Sequence, residues 1–369
     1  MGAITRGIAN NVLGTGEIDA TDGVNGVIPA SNVNNTSFGN VTSLPALSGT
    51  ITTVAGDPPA PSEGQVWYNS VDGALKYYGF AGSWASGGTM SGVRSGGGSS
   101  GIQTDLITAF GATSSPQLTS QISGTETYNG TSWTSSPNVG AARYGTRGAG
   151  KTSSTSVMIG GYTGPLTYTG RTEEYDGTSW TESGDLSTGR GYSFSGGSQT
   201  AAWASGGRFG PPFGNTNVTE NYDGSAWTAS GNYPLPAVYN GAGSGPQTAG
   251  FAAGGIDSSV FNNSSFYDSS TWTTGPTINT ARDSAVGSGD STTALIFGGG
   301  TPTLTAESES WNGTSWSTDA PLATAKNGAN GGEVGTATSA LEVGGRNPTY
   351  LATTEEYSLS AANVTISES

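Results

Sequence analysis

Two short patterns of polar and apolar positions alternate along most of this chain. The first is a stretch of alternating residues ending in Tyr, followed by an Asp-Gly or Asn-Gly pair and then Trp, as in TEEYDGTSW at 172–180. The second is an apolar run ending in two small residues, as in VMIGG at 157–161. Alternation predicts a half-buried strand, a short apolar run a buried strand, and the Asp-Gly pair a tight turn. The sequence therefore predicts short strands joined by turns.

Both patterns recur with a period of 44 to 49 residues. The tryptophans that mark the period are Trp84, Trp133, Trp180, Trp227, Trp272 and Trp316. The apolar runs end at Ala112, Gly161, Gly207, Gly255, Gly299 and Gly345, and we expect the small pair to permit a close approach of backbones or of an aromatic face. A period of this length predicts propeller blades or solenoid units.

A cation follows the tryptophan by ten residues in five of the six repeats. These cations are Arg94, Arg143, Arg190, Arg282 and Lys326, and Val238, one residue out of step, is the exception in the remaining repeat. Their regular position favours a structural role, because a buried charge must be paired. The candidate partners are backbone carbonyls and the repeat glutamates Glu126, Glu173, Glu220, Glu309 and Glu355. The alternative is a positive ring around a central channel.

Four strands can be assigned to each repeat: a cation-bearing strand, a diglycine strand, a Glu/Tyr strand and a Trp strand, the content of one propeller blade. The last repeat has Gly344, Gly345 and Tyr357 but lacks a Trp, whereas Trp84 precedes the first complete repeat. Placing the Trp84 strand in the last blade gives a closed, all-β, six-bladed propeller without exposed sheet edges. A seventh, irregular blade from residues 65–80 stays open as an alternative.

Composition supports a folded all-β chain and excludes several chemistries. Glycine contributes 62 of 369 residues, and charged residues make up 11%, yet 34 aromatics recur at regular intervals. The net charge of -15, with 12 cations, argues against nucleic-acid binding. Cysteine and histidine are absent, which excludes disulfides, thiolate metal sites and histidine chemistry. We expect no cofactor; an oxygen-ligated calcium is conceivable, but the Asp19 to Asp22 cluster falls short of a calcium loop.

The order diglycine, Tyr, Trp and basic residue resembles the kelch repeat over roughly residues 80 to 360. The Tyr-to-Trp interval departs from the family pattern, since it is only five residues here. The resemblance implies a β-propeller and no particular activity, because kelch domains perform unrelated functions.

The region before the repeats has a different character. Residues 1–55 are rich in Asn, Gly and Val, and we interpret them as an extended docking segment, with a flexible tail as the alternative. A Pro-rich joint and a hairpin around Val71-Asp72-Gly73 follow at 56–79, and the propeller is assigned to 80–369. No signal peptide or membrane-spanning stretch is recognisable.

The joint, the hairpin and the YNGTSW-type repeats resemble virion structural proteins of tailed bacteriophages, especially those of marine bacteria. This resemblance implies an N-terminal segment that docks on other virion proteins, and a propeller on the exterior of the particle, made in the host cytoplasm. We expect a homo-oligomer, because a small N-terminal module needs a partner to bury a core.

The loops that follow each small pair vary in sequence, and loops on a rigid scaffold commonly carry recognition. Their aromatic and basic residues are Tyr162, Tyr168, Arg171, Arg208, Phe209, Phe213, Phe261, Arg346 and Tyr350. Aromatic rings beside Arg and Asn suit a sugar, because the apolar face of the sugar stacks while its hydroxyls need hydrogen-bond partners. The alternative is that these side chains only pack against neighbouring loops.

We interpret the chain as a non-enzymatic virion appendage, either a tail fibre or a tail-associated adhesin that binds a host surface glycan or protein. The first alternative is a structural component such as a head fibre or decoration protein. The second is a polysaccharide-cleaving enzyme, although the Asp and Glu residues recur with the repeat, which marks them as scaffold.

Overall fold

The computed structural model describes residues 51–366 apart from 63, 165–166, 236–237, 301 and 332–334. The chain divides into two compact units, one comprising Ser83–Ser358 and the other grouping residues up to Gly82 with those from Leu359 onward. The bounds expected from the sequence, 80–369 for the propeller and 56–79 for the connector, stay predictions. Of the expected docking segment, 1–50 lie outside the described residues, as does the Asp19 to Asp22 cluster. Among the described residues no helix is long and apolar enough to cross a membrane.

Five four-stranded antiparallel sheets form within the described part of the repeat unit. The first contains β4 (Gly98–Ile102), β5 (Asp105–Ala109), β6 (Thr125–Tyr128) and β7 (Trp133–Ser136). The second contains β8 (Arg147–Gly150), β9 (Ser156–Ile159), β10 (Thr172–Tyr175) and β11 (Trp180–Ser183). The third contains β12 (Phe194–Ser198), β13 (Ala201–Ser205), β16 (Thr219–Tyr222) and β17 (Trp227–Ser230). The fourth contains β18 (Ala242–Ser244), β19 (Gly250–Ala253), β20 (Ser264–Tyr267) and β21 (Trp272–Thr274). The fifth contains β22 (Val286–Gly289), β23 (Ala294–Phe297), β24 (Ser308–Trp311) and β25 (Trp316–Asp319).

The C-terminal repeat pairs with the strand that carries Trp84, as the missing tryptophan predicted. Its strand order is β26 (Asn330–Gly331), β27 (Ser339–Val343), β30 (Thr354–Thr365) and β3 (Ala74–Ser86). The Trp84 indole N–H donates to the Ala320 carbonyl, and its ring lies 4.8 Å from that of Phe297 and 5.3 Å from that of Tyr357, between ring centroids. Trp84 therefore connects the C-terminal strands to the fifth sheet.

In the loops that follow the small pairs, the described residues form two short ribbons and one 3₁₀ turn. β14 (Arg208–Phe209) pairs with β15 (Gly214–Asn215), and β28 (Arg346–Asn347) pairs with β29 (Thr349–Tyr350). The 3₁₀ turn is Gln117–Thr119. The ribbons begin directly after Gly207 and Gly345, at equivalent places in two repeats.

The recurring Tyr and Trp form the predicted hairpin and lie directly opposite each other across it. Tyr175 pairs with Trp180 in the strand register, and their ring centroids are 4.9 Å apart. The turn between them is held by Asp176, whose Oδ1 accepts the backbone N–H groups of Thr178 and Ser179. These hydrogen bonds stabilise the ionised carboxylate and lower the pKa of Asp176 to about 2.

The repeated Trp also explains how neighbouring sheets are joined. The indole N–H of Trp227 donates to Thr172 Oγ1 in the preceding sheet at 2.9 Å, and Trp272 makes the same bond to Thr219. The apolar clusters are likewise built from two successive sheets, such as Ala149, Val157, Ile159 and Leu186 with Ala202, Ala204 and Tyr222. Small residues suffice in these cores because the sheets pack face to face, which accounts for the low overall hydrophobicity.

The small pair lets the backbone approach the next repeat. Gly160 and Gly161 have φ of 60° and 100°, and a Cβ on Gly160 would lie 2.2 Å from the carbonyl oxygen of Arg190. The second residue of each pair donates its N–H to the carbonyl of the cation position in the next repeat: Gly111 to Arg143, Gly161 to Arg190, Gly207 to Val238, Gly255 to Arg282, Gly299 to Lys326 and Gly345 to Arg94. The last of these bonds links the final repeat to the first.

The first repeat differs from the sequence expectation at this pair. The position of the first glycine is held by Phe110, at a φ of 65°, so the pair is Phe110-Gly111 and not the two small residues before Thr113. The guanidinium of Arg143 lies over the Phe110 ring, 4.3 Å from its centroid. This stacking compensates a backbone conformation that aromatic residues rarely adopt.

Every repeat cation is buried and paired with the glutamate that the sequence indicated. The pairs are Arg94 with Glu126, Arg143 with Glu173, Arg190 with Glu220, Arg282 with Glu309 and Lys326 with Glu355. The other carboxylate oxygen of Glu220 accepts the backbone N–H of Ser187 at 2.9 Å, and corresponding bonds occur in the other four repeats. The expectation of a cation-bearing strand was wrong, because each cation lies in the segment before the first strand of its sheet. From there its side chain reaches the glutamate on the third strand.

The repeat without a cation also lacks the glutamate. Val238 occupies the cation position and Ser265 the glutamate position, so no buried charge is left without a partner. The space is filled by Tyr233, which stacks on Phe194 at 5.1 Å between ring centroids. An apolar contact in this repeat thus occupies the position that an ion pair occupies in the other repeats.

The C-terminal repeat carries one extra carboxylate. Lys326 Nζ lies 2.5 Å from Glu342 Oε2 and 3.0 Å from Glu355 Oε1, so two carboxylates face one ammonium group. Glu342 occupies the position that Met158 holds in the second repeat. Burial raises the pKa of Glu342 to about 8 from its ordinary 4.5, although Lys326 opposes this shift.

The N-terminal unit contains the predicted hairpin. β2 (Val66–Asn69) pairs antiparallel with β3 around Val71-Asp72-Gly73, and β1 (Thr52–Val54) lies parallel to β2. Asp57 accepts hydrogen bonds from Trp67, Asn69, Lys76 and Asn363. The Ile366 N–H donates to the Leu75 carbonyl, so the C-terminal residues contact the hairpin of this unit.

We expect Arg143→Met to lower the free energy of unfolding by about 3–5 kcal/mol, because Glu173 would be buried without its partner. The double variant Arg143→Val with Glu173→Ser copies the natural combination of Val238 and Ser265, and it should recover part of this loss. Urea denaturation of both variants measures the difference. A double variant no more stable than the single one would show that the unpaired charge is not the cause.

We expect Glu342→Gln to be more stable than the natural chain, with an advantage that grows as the pH rises from about 4.5 to about 8. In this range the folded chain keeps Glu342 protonated while the unfolded chain ionises it, so the natural chain loses stability as the pH rises. Urea midpoints across this range test the prediction, with the exposed Glu307→Gln as control. A pH-independent difference would contradict it.

Candidate functional site

A circle of six backbone hydrogen bonds connects the repeats where the chain enters the first strand of each sheet. The N–H of Gly96 donates to the carbonyl of Gly328, Gly145 to Gly96, Tyr192 to Gly145, Asn240 to Tyr192, Ser284 to Asn240 and Gly328 to Ser284. The donor–acceptor distances are 2.6 to 3.2 Å. We call these six residues the central circle.

The central circle requires a left-handed backbone at every position. Its three glycines have φ of 60° to 69°, and Tyr192, Asn240 and Ser284 have φ of 57°, 63° and 53°. A bulky residue such as Tyr is strained at positive φ, whereas Gly is not. Three repeats therefore keep a side chain where glycine would be the less strained choice, and strain of this kind is concentrated at functional sites.

A cavity of about 250 Å³ lies at the central circle and is lined by residues from all six repeats. Tyr144, Tyr192 and Tyr239 supply its aromatic surface, and Asn240 and Asn327 supply amide groups. The Asn240 side chain donates to Ser284 Oγ at 2.5 Å. The described lining contains no Asp or Glu.

Three arginines line this cavity. Arg208 and Arg346 come from the two loop ribbons, and Arg147 begins the first strand of the second sheet. The Arg208 guanidinium lies 5.5 Å from the centroid of the Tyr239 ring, and Arg346 Nε donates to Asn327 Oδ1 at 3.1 Å. Arg147 Nη2 donates to Asn240 Oδ1 at 3.4 Å. The cavity is thus basic in an acidic protein.

Tyrosines continue from the cavity onto the neighbouring loops. The rings of Tyr144, Tyr162, Tyr168 and Tyr192 contact one another at centroid distances of 5.4 to 5.9 Å, and Tyr350 packs against the same cluster. The hydroxyls of Tyr162 and Tyr192 are 3.0 Å apart. Burial raises the pKa of Tyr192 well above its ordinary value, so this hydroxyl stays protonated and can donate a hydrogen bond.

The structure brings together five of the nine loop residues that the sequence indicated. Arg208 and Arg346 line the cavity, and Tyr162, Tyr168 and Tyr350 belong to the adjoining tyrosine cluster. Tyr162 is only 7% exposed, so it supports its neighbours more than it presents a surface.

The other four residues lie elsewhere. Arg171 forms a two-pronged ion pair with Glu182 on the outermost strand, at 2.9 and 3.0 Å, and Phe261 packs against the buried cluster around Tyr233. The ligand-binding role expected of these two residues stays a prediction. Phe209 and Phe213 lie on the β14–β15 ribbon, where Phe213 is 46% exposed.

Sequence reasoning missed Tyr144, Tyr192, Tyr239 and Arg147. Tyr144 and Tyr239 directly follow the cation position, and Tyr192 follows it by two residues. The available signal was that aromatic residues occupy positions where the other repeats have Gly, Ser, Asp or Asn. Arg147 had no such signal, because it stands in a strand that the repeat pattern assigned to the scaffold.

Among the described residues, no group of three or more His, Cys, Asp or Glu side chains is placed to hold a metal ion. The polar groups that converge on the cavity are guanidinium, phenol, amide and hydroxyl groups. These groups donate hydrogen bonds and present aromatic faces, and they therefore suit an organic ligand with acceptor oxygens.

The repeats and their basic cavity define an all-β, propeller-like protein. No family model and no curated protein matches the sequence. Among solved structures, the protein YjhT is similar, with a TM-score of 0.59 and 11% identity over 74% of this chain and 99% of that chain. YjhT is a β-propeller, and at this identity the similarity concerns the fold alone.

We expect Tyr192→Phe to reduce the loss of stability that the natural chain shows above pH 10. Burial keeps Tyr192 neutral in the folded chain, whereas the unfolded chain ionises it above its ordinary pKa of 10.0, so alkaline pH favours unfolding. Thermal unfolding at increasing alkaline pH measures the effect. Identical alkaline profiles of the variant and the natural chain would contradict the prediction.

Proposed function

We propose that this chain is an appendage protein on the exterior of a bacteriophage particle, a tail fibre or tail-associated adhesin, whose loop face binds a host surface glycan. The N-terminal segment attaches the chain to other virion proteins, and the protein works as a homo-oligomer without catalysing a reaction. The resemblance of the connector and the YNGTSW-type repeats to tailed-phage virion proteins supports this assignment.

We further propose that the repeats form a closed propeller of six blades. Two independent sets of backbone hydrogen bonds support this number, because each set passes once through all six repeats and returns to its start. The contact of Trp84 with the fifth sheet supports the same arrangement. The alternative seventh blade from residues 65–80 is disfavoured, since Val66–Asn69 pairs with β3 as a hairpin of the N-terminal unit.

The observation that carries the binding function is the contrast between scaffold and central circle. The Trp, the cation and the small pair repeat, whereas the circle and the positions beside it change from repeat to repeat. Tyr192, Asn240 and Ser284 remain there at positive φ, and all three line the same cavity. A scaffold under no further constraint would use glycine throughout, so we infer a ligand-binding role.

The chemistry of this face favours a sugar ligand. Tyrosine rings offer stacking surfaces, while arginine and asparagine groups bond to hydroxyl oxygens. A carboxylate-pair glycosidase is disfavoured at the cavity, because its described lining has no Asp or Glu. Recognition without cleavage is the function that fits these groups.

One observation favours the alternative of a structural head-fibre or decoration protein. Phe213 is 46% exposed, and its β14–β15 ribbon lies outside the four-stranded sheets. An exposed aromatic side chain suits a contact with another protein. In that case the ribbon would be covered in the particle.

A glycan array probed with the full chain tests the proposal. We expect specific binding of one glycan class, weakened at least severalfold by Tyr168→Ala or Phe213→Ala, because each removes an aromatic face from the loop region. Phe80→Ala is the matched control, since Phe80 is similarly exposed, at 44%, but lies in the N-terminal unit.

Two results would contradict the proposal. One is the absence of glycan binding by the full chain. The other is equal weakening by all three substitutions. A Phe213→Ala variant that abolishes assembly of the particle while glycan binding persists would favour the structural alternative for the ribbon.

A further inference from the structure

The placement of the cations points to the charge of the ligand. Five cations are buried in the scaffold pairs, Lys76 pairs with Asp57 and Asp72, and Arg171 pairs with Glu182. Arg208 and Arg346 differ, because among the described residues no carboxylate lies within ion-pair distance of either. Two arginines of this acidic chain, which has few cations, thus line the same cavity.

Arg208 and Arg346 occupy equivalent positions. Each directly follows a diglycine pair and forms an isolated antiparallel β-bridge with the residue after the cation position. Arg208 pairs in this way with Gly191, and Arg346 pairs with Asn327. The other repeats carry Ala112, Tyr162, Ile256 and Gly300 at this position. The two arginines are three repeats apart, so they reach the cavity from different sides.

Both arginines are oriented by neighbours that leave their terminal nitrogens to the cavity. The Arg208 guanidinium lies over the Tyr239 ring, and Arg346 donates a hydrogen bond to Asn327 through Nε. Among the described residues, no protein acceptor binds the terminal nitrogens of either arginine. Asp283, next to the lining residue Ser284, is the acidic group that interacts electrostatically with Arg346, and it is itself largely buried.

We propose that the central cavity binds the carboxylate of an acidic sugar, with Arg208 and Arg346 as the residues that recognise the charge. Guanidinium groups match the geometry of a carboxylate, and their charge-assisted hydrogen bonds are stronger than neutral ones. Tyr192 and Tyr239 line the cavity as its aromatic surface, and the Asn240 amide nitrogen has a second hydrogen, beyond its bond to Ser284, that can donate to a sugar hydroxyl. This inference rests on the proposed glycan-binding function and specifies its ligand as a uronate.

The size of the cavity limits what enters it. Sites for drug-sized ligands have about 300–1,000 Å³, and this cavity has about 250 Å³. It therefore accommodates one sugar unit at a chain end or branch, while the rest of the polysaccharide contacts the loop face around Tyr168 and Tyr350.

The test compares uronate oligosaccharides with their neutral counterparts. The panel pairs oligomers of mannuronate, galacturonate and glucuronate with those of mannose, galactose and glucose of the same linkage, and sulfated oligosaccharides form a third arm. Calorimetric titration of the full chain at low salt is expected to show at least one uronate bound about tenfold or more tightly than its neutral counterpart. The difference should shrink as salt is added.

Variants then identify the residues. Arg346→Gln and Arg208→Gln are each expected to weaken uronate binding by about tenfold or more, while binding of the neutral oligosaccharide changes little. Arg171→Gln is the matched control, because it removes the same charge from an arginine that lies outside the cavity lining. Thermal unfolding checks that each variant is folded.

The outcomes separate the two proposals. Equal binding of neutral and acidic sugars, or preference for the sulfated arm, would overturn the carboxylate assignment and leave glycan binding intact. Uronate binding that is unchanged in Arg346→Gln and Arg208→Gln would overturn the role of these residues. No binding to any member of the panel or of the wider glycan array would overturn the proposed function itself.

Discussion

In five of the six repeats, the ion pair of a buried cation at the entrance to a sheet is the contact on which the repeat unit depends. The side chain of this cation pairs with a glutamate on the third strand, and its backbone carbonyl accepts the N–H from the small pair of the preceding repeat. Arg190, for example, holds Glu220 and receives the N–H of Gly161. One residue thus fixes the strands within a sheet and the contact between two sheets. Because this ion pair and this backbone hydrogen bond position the sheets, the apolar side chains between the sheets can be small.

The same contact explains why so many other positions repeat. The carbonyl at the cation position approaches the first residue of the preceding small pair so closely that a Cβ on Gly160 would lie 2.2 Å from the Arg190 oxygen, and Phe110 of the first repeat is the exception that carries a side chain there. The glutamate in turn needs the backbone N–H before the cation. Where the charge pair is replaced, by Val238 and Ser265, both members change together and Tyr233 fills the space. The cost of a single unpaired buried charge accounts for this coupling.

Much of the scaffold could be predicted from the sequence, whereas only part of the candidate site could. The strand order, the Tyr–Trp hairpins and the Arg–Glu pairs follow from positions that recur, so each repeat is evidence for the others. The site lacks this redundancy. Arg171 resembled a loop residue, yet its partner Glu182 lies on another strand, a contact that spacing does not reveal. Tyr144 and Tyr192 were overlooked because their neighbourhood is scaffold, and only the folded circle places them at one cavity.

The division between scaffold and site also bears on how an acidic protein would recognise the acidic sugar that we propose as its ligand. A net charge of -15 repels an anionic polysaccharide at a distance, although physiological salt reduces this repulsion beyond about 8 Å. Attraction must therefore act at short range. A cavity with arginines and low-dielectric aromatic walls provides it, because such walls focus the field of nearby charges. Under this proposal, Arg208 and Arg346 would contribute to selectivity more than to capture, since only a ligand that reaches the central circle would meet them. Surface contacts around Tyr168 and Tyr350 would have to hold the polysaccharide first, which assigns the loop face and the cavity two successive parts of one recognition event.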